Sequence, residues 1–468
     1  MKDWVRKQLA YAHQSIREVM KIISDARIGV AVVVDQENTL LGFVTDSDIR
    51  RAILQDVNLN RPISEIMTKN PVTLPEGLSA EECILLMRQH RVNRAPVVDA
   101  QNGVKDIALY WKLQESLQED IVDSTGLVFS PKRQSKTGIK VLVIGAGGYV
   151  GSVLCRELLN QGYEVRGVDR FLFGDETLQE IVNHHHFELV KGDIRHLDLL
   201  VDAAFGVDAV INLAAIVGDP ACDLDVNHSI MINYFSAKAA ADAARHFKVD
   251  RYLFASTCAV YGASKEGEVL SEGSAVAPVS LYAETKLKTE EGILSLADRN
   301  FSPCVFRLST VYGLSPRMRF DLVVNLFILN ALTSGKINVL GGDQWRPYVH
   351  VRDVARVFIL ALRADKTLIH RQVYNLGSTE QNFRVIELAE KISRQIEGTQ
   401  VISHPDAKDP RNYYVGFDKI REKLGFCAEE TIETAIHEIR EAFLRGIFPD
   451  FKDKKYNNMK QQEHLIFG

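Results

Sequence analysis

The alternation of hydrophobic and polar positions near the N-terminus follows an approximate internal repeat. One copy runs from "SIREVMKIISDARIG" into "VAVVVDQENTLLGFVTDSDIRRAI", and the other runs from "GLSAEECILLMRQHRV" into "RAPVVDAQNGVKDIALYWKLQ". Each copy predicts a helix, an apolar strand, a turn rich in Asp, Asn, Gln and Gly, a second strand and a helix. Because a unit this short can hardly bury its own apolar faces, we expect the two copies to pack on each other.

A polar segment separates this repeat from the rest of the chain. Residues 119–138 contain Ser, Thr, Pro and Gly and carry basic side chains near their end, which predicts a linker. We therefore assign the repeat to a first domain, residues 1–118, and the part of the chain beyond the linker to a second domain, residues 139–450. The last residues, 451–468, show no periodicity and are interpreted as a tail.

From Ile139 onward the pattern changes to strands that alternate with helices. This alternation predicts an α/β fold with a doubly wound parallel sheet of the Rossmann type. The first strand, "IKVLVIG", is a continuous apolar run of the kind that is buried on both faces. We expect a smaller substrate lobe to be assembled from residues 314–330, 334–345 and 384–443.

A glycine-rich turn, "GAGGYVG", follows that first strand and leads into a helix. Gly145 permits a tight turn, Gly148 lets a pyrophosphate approach backbone N–H groups, and Gly151 lets the helix pack closely on the strand. Tyr149 and Val150 stand between these glycines. The turn therefore predicts a dinucleotide site that includes all five residues.

The next strand, "YEVRGVD", ends at Asp169. A carboxylate at this place can accept both hydroxyls of the adenosine ribose and repels a 2′-phosphate, so we predict NAD as the cofactor. Arg170 comes directly after it and could accept the phosphate of NADP, which is the alternative cofactor.

The ends of the third and fourth strands extend the same site. "FELVKGD" ends at Asp193, which is placed to receive the adenine amino group, and Ile194 is the next residue. "DAVINLAA" ends in Leu213, Ala214 and Ala215, where small side chains let the backbone pass close to a cofactor. The alternative interpretation is that these small residues only pack at the strand end.

The fifth strand ends in "STCAVYG", and the helix "SLYAETKLKTEE" places Tyr282 and Lys286 one turn apart. Hydride transfer to a nicotinamide requires a base for the carbinol proton. The pKa of a phenol, about 10, is too high for this role at neutral pH, because the group stays protonated. The Lys286 ammonium and the nicotinamide charge would lower that pKa. Thr257 would hold the reacting oxygen. Ser256, the alternative hydroxyl, should face the other way on the strand but lies near the cofactor.

Together these motifs resemble the extended short-chain dehydrogenase/reductase family, which includes UDP-galactose 4-epimerase, over residues 139–447. The resemblance continues in "FRLSTVYGLSPR" and "WRPYVHVRDVARV". It implies a nucleotide-diphosphate sugar as substrate, with Arg346 on the diphosphate, Asn325 assisting and Arg411 as a further candidate. The alternative for Arg346 is a salt bridge to Asp353. Asn233 matches an asparagine near the active site that is usually structural and that we assign to the cofactor site.

The N-terminal repeat resembles a CBS-domain pair, best in "LLGFVTDSDIRRAI" and in "IMTKNPVTL" with "RVNRAPVVD". The resemblance implies an adenine nucleotide as a possible regulatory ligand, with Thr45 and Asp48 contacting its ribose. The second copy, "DIALYWKL", offers no Thr or Asp at the corresponding places. The alternative interpretation is that Asp48 simply caps the helix that comes after it.

The two residues after Thr257 bear on the type of reaction. Relatives that dehydrate or decarboxylate sugars carry an acid two positions after the hydroxyl, whereas this chain has Cys258 and then Ala259. Because alanine cannot exchange a proton, we favour epimerisation at a sugar carbinol, at C4, with tightly bound NAD. The alternatives are a reductase of a 4-keto sugar and a catalytically silent sensor of NAD or a sugar nucleotide. "IVGDPACD", which replaces a lysine-bearing loop, leaves the hexose open.

Composition and charge limit the partners, the metal sites and the cellular location that we expect. The chain has 468 residues, a net charge of −5 and no run of about eighteen apolar residues, so we expect neither a nucleic-acid nor a membrane partner. Its six cysteines are scattered without metal-ligand spacing, so we predict no metal site and a cytoplasmic location. Both resembled families commonly dimerise, and we therefore expect a homodimer or a higher assembly.

Overall fold

The structure is a computed structural model. It describes residues 3–26, 29–45, 48–49, 52, 57–90, 92, 94–110, 113, 138–265, 267–406 and 411–467. These residues fall into two compact units, one within residues 1–131 and the other within residues 132–468. The predicted linker, 119–138, lies outside the described residues except for its last one, so the linker and the domain limits stay predictions.

The N-terminal unit contains two three-stranded sheets with the same topology. Its strands are β1 (Leu9–Tyr11), β2 (Val30–Val34), β3 (Leu40–Thr45), β4 (Leu74–Pro75), β5 (Arg94–Val98) and β6 (Val104–Leu109), and its helices include α1 (Asp3–Arg6), α2 (Ile16–Ala26) and α3 (Ala80–Gln89). In each sheet the first strand pairs parallel with the second, and the second pairs antiparallel with the third. Each antiparallel pair also has an irregularity at the last residues of its first strand.

The repeat in the sequence extends to individual hydrogen bonds. Ser15 and Glu18 form a capping box before α2, as Ser79 and Glu82 do before α3. The two copies meet along their turns, where the Leu40 amide donates to the Asn102 carbonyl (3.0 Å). Apolar side chains of β2 and of β6 share one buried cluster. The copies therefore pack on each other, as expected from their size.

The second unit is built on a parallel sheet. Its strands are β7 (Lys140–Ile144), β8 (Glu164–Asp169), β9 (Phe187–Lys191), β10 (Ala209–Asn212), β11 (Arg251–Thr257), β12 (Val269–Leu270), β13 (Ser302–Leu308), β14 (Thr310–Tyr312), β15 (Lys336–Leu340), β16 (Trp345–His350), β17 (Gln372–Leu376), β18 (Asn382–Arg384), β19 (Gln400–His404) and β20 (Tyr414–Val415). Among the described residues the main sheet has seven strands in the order β17-β13-β11-β10-β7-β8-β9. The order reverses between β7 and β10, and ligands of such sheets bind outside the carboxyl ends of the strands at that point.

Helices cover both faces of this sheet, and further helices belong to the smaller elements beyond it. In chain order, the described helices of the unit are α4 (Tyr149–Asn160), α5 (Leu197–Ala204), α6 (Asp219–Asp223), α7 (Val226–Ile230), α8 (Ala237–His246), α9 (Leu281–Leu294), α10 (Val323–Ser334), α11 (Val351–Arg363), α12 (Lys366–Ile369), α13 (Val385–Gln395), α14 (Asp418–Leu424), α15 (Ile432–Leu444) and α16 (Asn458–Phe467). Along β7, Val141 and Val143 belong to one buried cluster, and Leu142 and Ile144 belong to another. Burial on both faces explains why the strand is apolar at consecutive positions.

Smaller elements beyond the main sheet include two groups of strands: β15 pairs parallel with β19, and β16 pairs with β14 and β18. Helices α10, α13 and α15 pack beside the β15–β19 pair. The tail interpretation needs correction, because residues 454–467 form a 3₁₀ turn and helix α16. None of the helices in the described ranges combines the length and the hydropathy needed to cross a membrane.

The contact between α4 and β7 depends on a missing side chain. A Cβ at Gly151 would clash with the Gly145 carbonyl oxygen and lie 2.9 Å from the Ala146 Cα. We expect Gly151→Ala to lower the free energy of unfolding by about 1–3 kcal/mol, the usual cost of overpacking, in spite of alanine's higher helix propensity. Gly292→Ala in α9 is the matched control, since its nearest neighbour would be a flexible Lys238 side chain at 3.6 Å. Urea denaturation followed by circular dichroism should show no loss for Gly292→Ala, and equal losses would contradict the steric argument.

Candidate active site

A cleft lies at the carboxyl ends of the central strands, on the two sides of the point where the strand order reverses. Several residues predicted for the cofactor line it: Gly145, Gly148, Asp169, Arg170, Ile194, Leu213, Ala214 and Ala215. They come from the ends of β7, β8, β9 and β10. The structure thus brings together strand ends that lie far apart in the sequence.

The glycine-rich turn forms the floor of this cleft. Gly145 has a φ of 88°, and a Cβ there would lie 2.9 Å from the Ala214 nitrogen. Helix α4 begins after Gly148, whose lack of a side chain leaves the first N–H groups of the helix uncapped. Backbone N–H groups at a helix start suit a pyrophosphate, and the turn has the bare backbone that a dinucleotide requires.

The residues immediately after Gly148 point away from the cleft. The Tyr149 hydroxyl donates to the Gly313 carbonyl (2.6 Å) and accepts from the Asn325 amide (3.0 Å), both in the interior. The Val150 side chain packs on the core, and Gly151 allows the close approach of α4. The structure therefore corrects the assignment of Tyr149 and Val150 side chains to the cofactor, which only their backbone could contact.

Asp169 is held by the turn that it faces. Its carboxylate accepts from the backbone N–H groups of Gly147 (2.9 Å) and Phe171 (2.7 Å), and burial raises its pKa. Arg170 lies 3.3 Å from the Asp193 carboxylate, which it shares with Arg195. The preference for NAD over NADP therefore rests on Asp169, whose carboxylate lines the cleft and repels a 2′-phosphate.

Asp193 is engaged by a second arginine. Arg195 donates to both carboxylate oxygens of Asp193 (3.0 and 2.7 Å). Burial acts to raise the pKa of Asp193, but the hydrogen bonds and charges of Arg195 and Arg170 outweigh it and hold the pKa at about 2. The contact of Asp193 with an adenine amino group stays a prediction.

Asn233 supports the fourth strand end from a π-helical turn, residues 231–236. Its side-chain oxygen accepts from the Ile216 amide (2.7 Å), and its nitrogen donates to the Ile216 carbonyl (3.0 Å). At 1% exposure, Asn233 shapes the wall next to Ala215 through Ile216. Its assignment to the cofactor is corrected to a structural one.

Thr257 and Tyr282 face each other at the end of β11. Thr257 begins a 3₁₀ turn, Cys258–Tyr261, and its hydroxyl oxygen accepts from the Ala259 amide (3.1 Å). The Thr257 hydroxyl also contacts the Tyr282 phenol and acts to lower its pKa. Helix α9 starts just before Tyr282 because the Ser280 hydroxyl caps it. One turn further, the Lys286 ammonium is buried 4.0 Å from the centre of the Phe254 ring.

Burial dominates the ionisation of both catalytic candidates on α9. It raises the pKa of Tyr282, with the Cys222 thiol acting in the same direction and Arg319 opposing it. It also lowers the pKa of Lys286 to about 7, in spite of the nearby Glu290 carboxylate. Desolvation thus opposes both charged forms in the dinucleotide-free protein, and the expectation that Lys286 and the nicotinamide charge together lower the pKa of the phenol stays a prediction.

A buried ion pair lies behind these residues. Glu290, one turn after Lys286, pairs with Arg307 of β13 at 2.8 Å, and both side chains are buried. The Ser256 hydroxyl donates to the same carboxylate. Ser256 therefore faces the interior, as its strand position indicates, and its assignment to the cofactor is corrected. Cys258 is also turned inward: its thiol donates to the Arg307 carbonyl (3.2 Å), and burial raises its pKa.

The residues predicted for the substrate differ in their surroundings. Arg346 is 7% exposed, donates to the Trp345 carbonyl (2.7 Å) and lies over the Tyr413 ring. The alternative salt bridge to Asp353 is wrong, because that carboxylate pairs with Arg356 and accepts from the Glu430 amide.

Asn325 and Arg411 also serve the fold around the site. The fully buried Asn325 accepts from the Gly313 amide (3.0 Å) and donates to the Arg319 carbonyl (2.9 Å), so its direct contact with substrate is corrected. Arg411 pairs with Asp219 (2.8 Å), whose other carboxylate oxygen accepts from Ser280 at the start of α9. The segment of residues 216–223, which includes α6, is thereby attached to the start of α9.

Three functional side chains were missed by reasoning from the sequence: Glu290, Asp219 and Arg319. Glu290 carried a signal, since it lies one helical turn beyond Lys286 on the same face. Asp219 begins the short helix α6 and Arg319 lies in a loop, and neither shares an element with Tyr282, so spacing carries no information about their proximity to it. Their proximity to Tyr282 appears only in the folded chain.

In the N-terminal unit, Thr45 and Asp48 bond to each other. The Thr45 hydroxyl and amide both donate to the Asp48 carboxylate (2.8 and 2.9 Å), and the Asp48 amide donates back (3.3 Å). This reciprocal pattern is that of a capping box, as in the alternative interpretation. Several neighbours of the pair lie outside the described residues, and its contact with a ribose stays a prediction.

A sequence model of the NAD dependent epimerase/dehydratase family matches residues 141–377, which contain the strand-end residues of the cleft and the Thr257, Tyr282 and Lys286 cluster. The chain belongs to this family. CBS-domain models match residues 3–55 and 63–108, so the N-terminal repeat is a CBS pair. Both resemblances are confirmed, and NAD is the cofactor of this family, in agreement with Asp169.

Relatives of this family member include enzymes of two reaction classes. It is 31% identical over 301 residues to "Uncharacterized UDP-glucose epimerase YtcB" of Bacillus subtilis (62% of this chain, 92% of the relative). It is 27% identical over 306 residues to the dTDP-glucose 4,6-dehydratase of Streptomyces niveus (62% and 88%). The UDP-glucuronic acid 4-epimerase of Bacillus cereus, solved with UDP-glucuronic acid and NAD, superposes with a TM-score of 0.58 at 25% identity (66% and 99%).

The depressed pKa of Lys286 has a consequence for stability. Between its folded pKa of about 7 and the usual value near 10.5, the unfolded chain binds the extra proton, so this lysine destabilises the fold fully below pH 7 and progressively less as pH rises to 10.5. We expect Lys286→Met to melt higher than wild type at pH 7, with a difference that shrinks toward pH 10.5. Calorimetry on dinucleotide-free protein measures this difference. Lys288→Met, which removes an exposed lysine of the same helix, should show no such pH dependence.

Proposed function

We propose that the chain is an NAD-dependent nucleotide-sugar 4-epimerase. It would oxidise one sugar carbinol transiently and restore it with the opposite configuration. Thr257, Tyr282 and Lys286 support catalysis at a single carbinol, and the NAD cleft lies at the ends of the same parallel strands. The family includes dehydratases as well, so the reaction class depends on the residues around this cluster.

The observation that carries the proposal is that neither of the two residues after Thr257 offers an available base. Removal of a C5 proton, which dehydration requires, needs a second base beside the catalytic hydroxyl. Here the Cys258 thiol is 1% exposed and bonded to the Arg307 carbonyl, and Ala259 has only a methyl group. Chemistry at the C4 carbinol alone therefore fits these residues best.

The residues of the cluster have separate tasks in this proposal. Bound NAD supplies the reversible acceptance of a hydride from the carbinol carbon. Tyr282 takes the hydroxyl proton and later returns it, and Thr257 orients the oxygen between them. Because burial holds the phenol neutral in the protein alone, its ionisation requires positive charge in the cleft. Lys286, with a pKa of about 7, can supply such charge when it is protonated.

The substrate class is inferred from two arginines that were predicted to contact the substrate. Arg346 and Arg411 are the cations assigned to a diphosphate, which guanidinium groups bind in a bidentate manner. The named epimerases that resemble this chain act on UDP-glucose or bind UDP-glucuronic acid. We therefore propose a UDP-linked hexose or hexuronic acid as substrate.

The proposal predicts isomer interconversion without added cofactor. Purified protein incubated with UDP-glucose or UDP-glucuronic acid should form the C4 epimer, detected by anion-exchange chromatography and NMR. Tyr282→Phe should lower the rate at least about a hundredfold, since it removes the general base, while leaving bound NAD in place. Tyr234→Phe, which changes a tyrosine outside the cluster, is the control.

Other products would identify the alternatives. Stoichiometric consumption of NADPH with a 4-keto sugar and no interconversion would establish a reductase. Loss of water to a 4-keto-6-deoxy sugar would establish a dehydratase. Absence of turnover on every nucleotide sugar, with NAD bound, would favour the silent sensor.

We also propose that the CBS pair binds an adenine nucleotide. The supporting observation is the side-by-side arrangement of the Thr45 hydroxyl and the Asp48 carboxylate at the end of β3, a donor and an acceptor for a ribose. The second copy offers no such pair, so a single nucleotide per CBS pair is expected. Regulation of the enzyme by this nucleotide, the homodimer and the cytoplasmic location remain predictions.

This proposal predicts that AMP, ADP or ATP raises the melting temperature of the full chain when NAD is saturating, so that the cofactor cleft does not respond. Thr45→Val should abolish the shift, because it removes the hydroxyl while keeping the shape of the side chain. Differential scanning fluorimetry measures both. An unchanged melting temperature for wild type with all three nucleotides would remove the CBS ligand from the proposal.

A further inference from the structure

The C-terminal helix α16 lies across the mouth of the NAD cleft. Asn458 and Gln462, one turn apart on this helix, line the cleft together with residues from the ends of β8 and β10. One wall of the cleft is the segment 171–174 after β8, and the other is the segment 213–217 after β10. Helix α16 contacts both walls, so it spans the opening between them.

Asn458 attaches the start of the helix to three separate segments. Its side-chain nitrogen donates to the Val217 carbonyl (3.2 Å), and its oxygen accepts from Arg317 (2.6 Å). Its backbone amide donates to Asp321 (3.2 Å). The Arg317 guanidinium in turn lies 3.8 Å from the centre of the Phe173 ring, which lines the other wall. A single asparagine thus connects the two sides of the cleft.

The next turn of the helix is attached to the wall formed by residues 171–174. The Gln461 side-chain nitrogen donates to the Leu172 carbonyl (2.9 Å). Before the helix, Lys455 pairs with Glu176 (2.7 Å), and the Tyr456 ring packs against Phe320 and Phe448. These contacts hold the segment in place on both sides of Asn458.

The surroundings of Gln462 suit a residue that contacts a bound ligand. Its side chain is 8% exposed and lines the cleft, yet within the described part of the chain its amide makes no hydrogen bond. Because Gln462 lines the cleft and its amide bonds no described residue, the amide is available to a group that binds in the cleft. Its neighbours in the cleft, Asp169 and Phe171 among them, belong to the end where the adenosine of a dinucleotide lies.

We propose that residues 454–467 are part of the cofactor site. We call this segment the strap. In this proposal Gln462 binds the NAD directly, Asn458 holds α16 in place across the cleft, and the strap retains the dinucleotide through successive turnovers. A retained cofactor suits an epimerase, which regenerates NAD in each cycle, and disfavours a reductase, which must exchange it. The inference deepens the proposed function but concerns cofactor retention, which is measured separately from isomerisation.

The experiment measures how fast NAD leaves the holoenzyme. Full-length protein loaded with etheno-NAD is chased with excess NAD, and the fluorescence decay gives the dissociation rate. We expect Asn458→Ala to dissociate at least about tenfold faster, since it breaks bonds to both walls, and Gln462→Ala to dissociate several-fold faster. Lys460→Ala, an exposed residue of the same helix, should match wild type. NAD that copurifies with each variant, released by acid and quantified, provides a second readout.

The outcomes separate the two proposals. Wild-type dissociation rates in both Asn458→Ala and Gln462→Ala would overturn the strap, whatever the enzyme catalyses. If Asn458→Ala fails to fold, Gln462→Ala decides alone, because its side chain bonds to no described residue. Isomerisation of UDP-sugars by wild type with saturating NAD tests the epimerase independently, so slow dissociation without isomerisation would keep the strap and reject the reaction.

Discussion

The ion pair between Glu290 and Arg307 is the interaction on which the active site depends. It lies in the interior, receives the Ser256 hydroxyl, and continues through Arg307 to Tyr261 and from Tyr261 to Asn375. It therefore joins helix α9 to β11, β13 and β17. Loss of one partner would leave a buried charge uncompensated, which is far more costly than the pair is stabilising. The pair fixes the rotation of α9 that presents Tyr282 to Thr257.

The cofactor site is also held together by contacts between segments that are distant along the chain. Parallel strand ends supply the floor and two walls, and their backbone approaches the cleft because Gly145 carries no side chain. A helix from the end of the chain supplies the cover. Each wall is held by polar side chains that are themselves buried, such as Asn233 behind Ala215 and Asn458 between Val217 and Arg317. Rigid walls of this kind suit a site that keeps its cofactor.

Prediction from the sequence was sufficient where a feature has a local signal. The glycine turn and the acid after β8 can be inferred from spacing within one or two elements, and both line the cleft. Prediction from spacing also names Tyr282 and Lys286 as catalytic residues, and those roles stay predictions. It failed for Tyr149 and Asn325, which are 176 residues apart and bond to each other in the interior. It did not reveal the desolvation that raises the pKa of Tyr282 in the dinucleotide-free protein, because desolvation depends on what covers the residue. The tail showed no periodicity since α16 uses polar contacts, rather than an apolar stripe, to attach itself.

The sequence by itself determined the alternation of strands and helices, the duplicated N-terminal unit and the dinucleotide turn, and it supplied the candidates for the catalytic side chains. These depend on hydrophobic period, on glycine conformation and on residues one helical turn apart, all of which are local. The tertiary structure alone decided what bonds to the Ser256 hydroxyl, which asparagines are structural and which distant segment lines the cleft beside the strand ends. The physical reason is that burial and hydrogen-bond partners are set by segments distant along the chain, and those partners decide both the direction and the charge of a side chain.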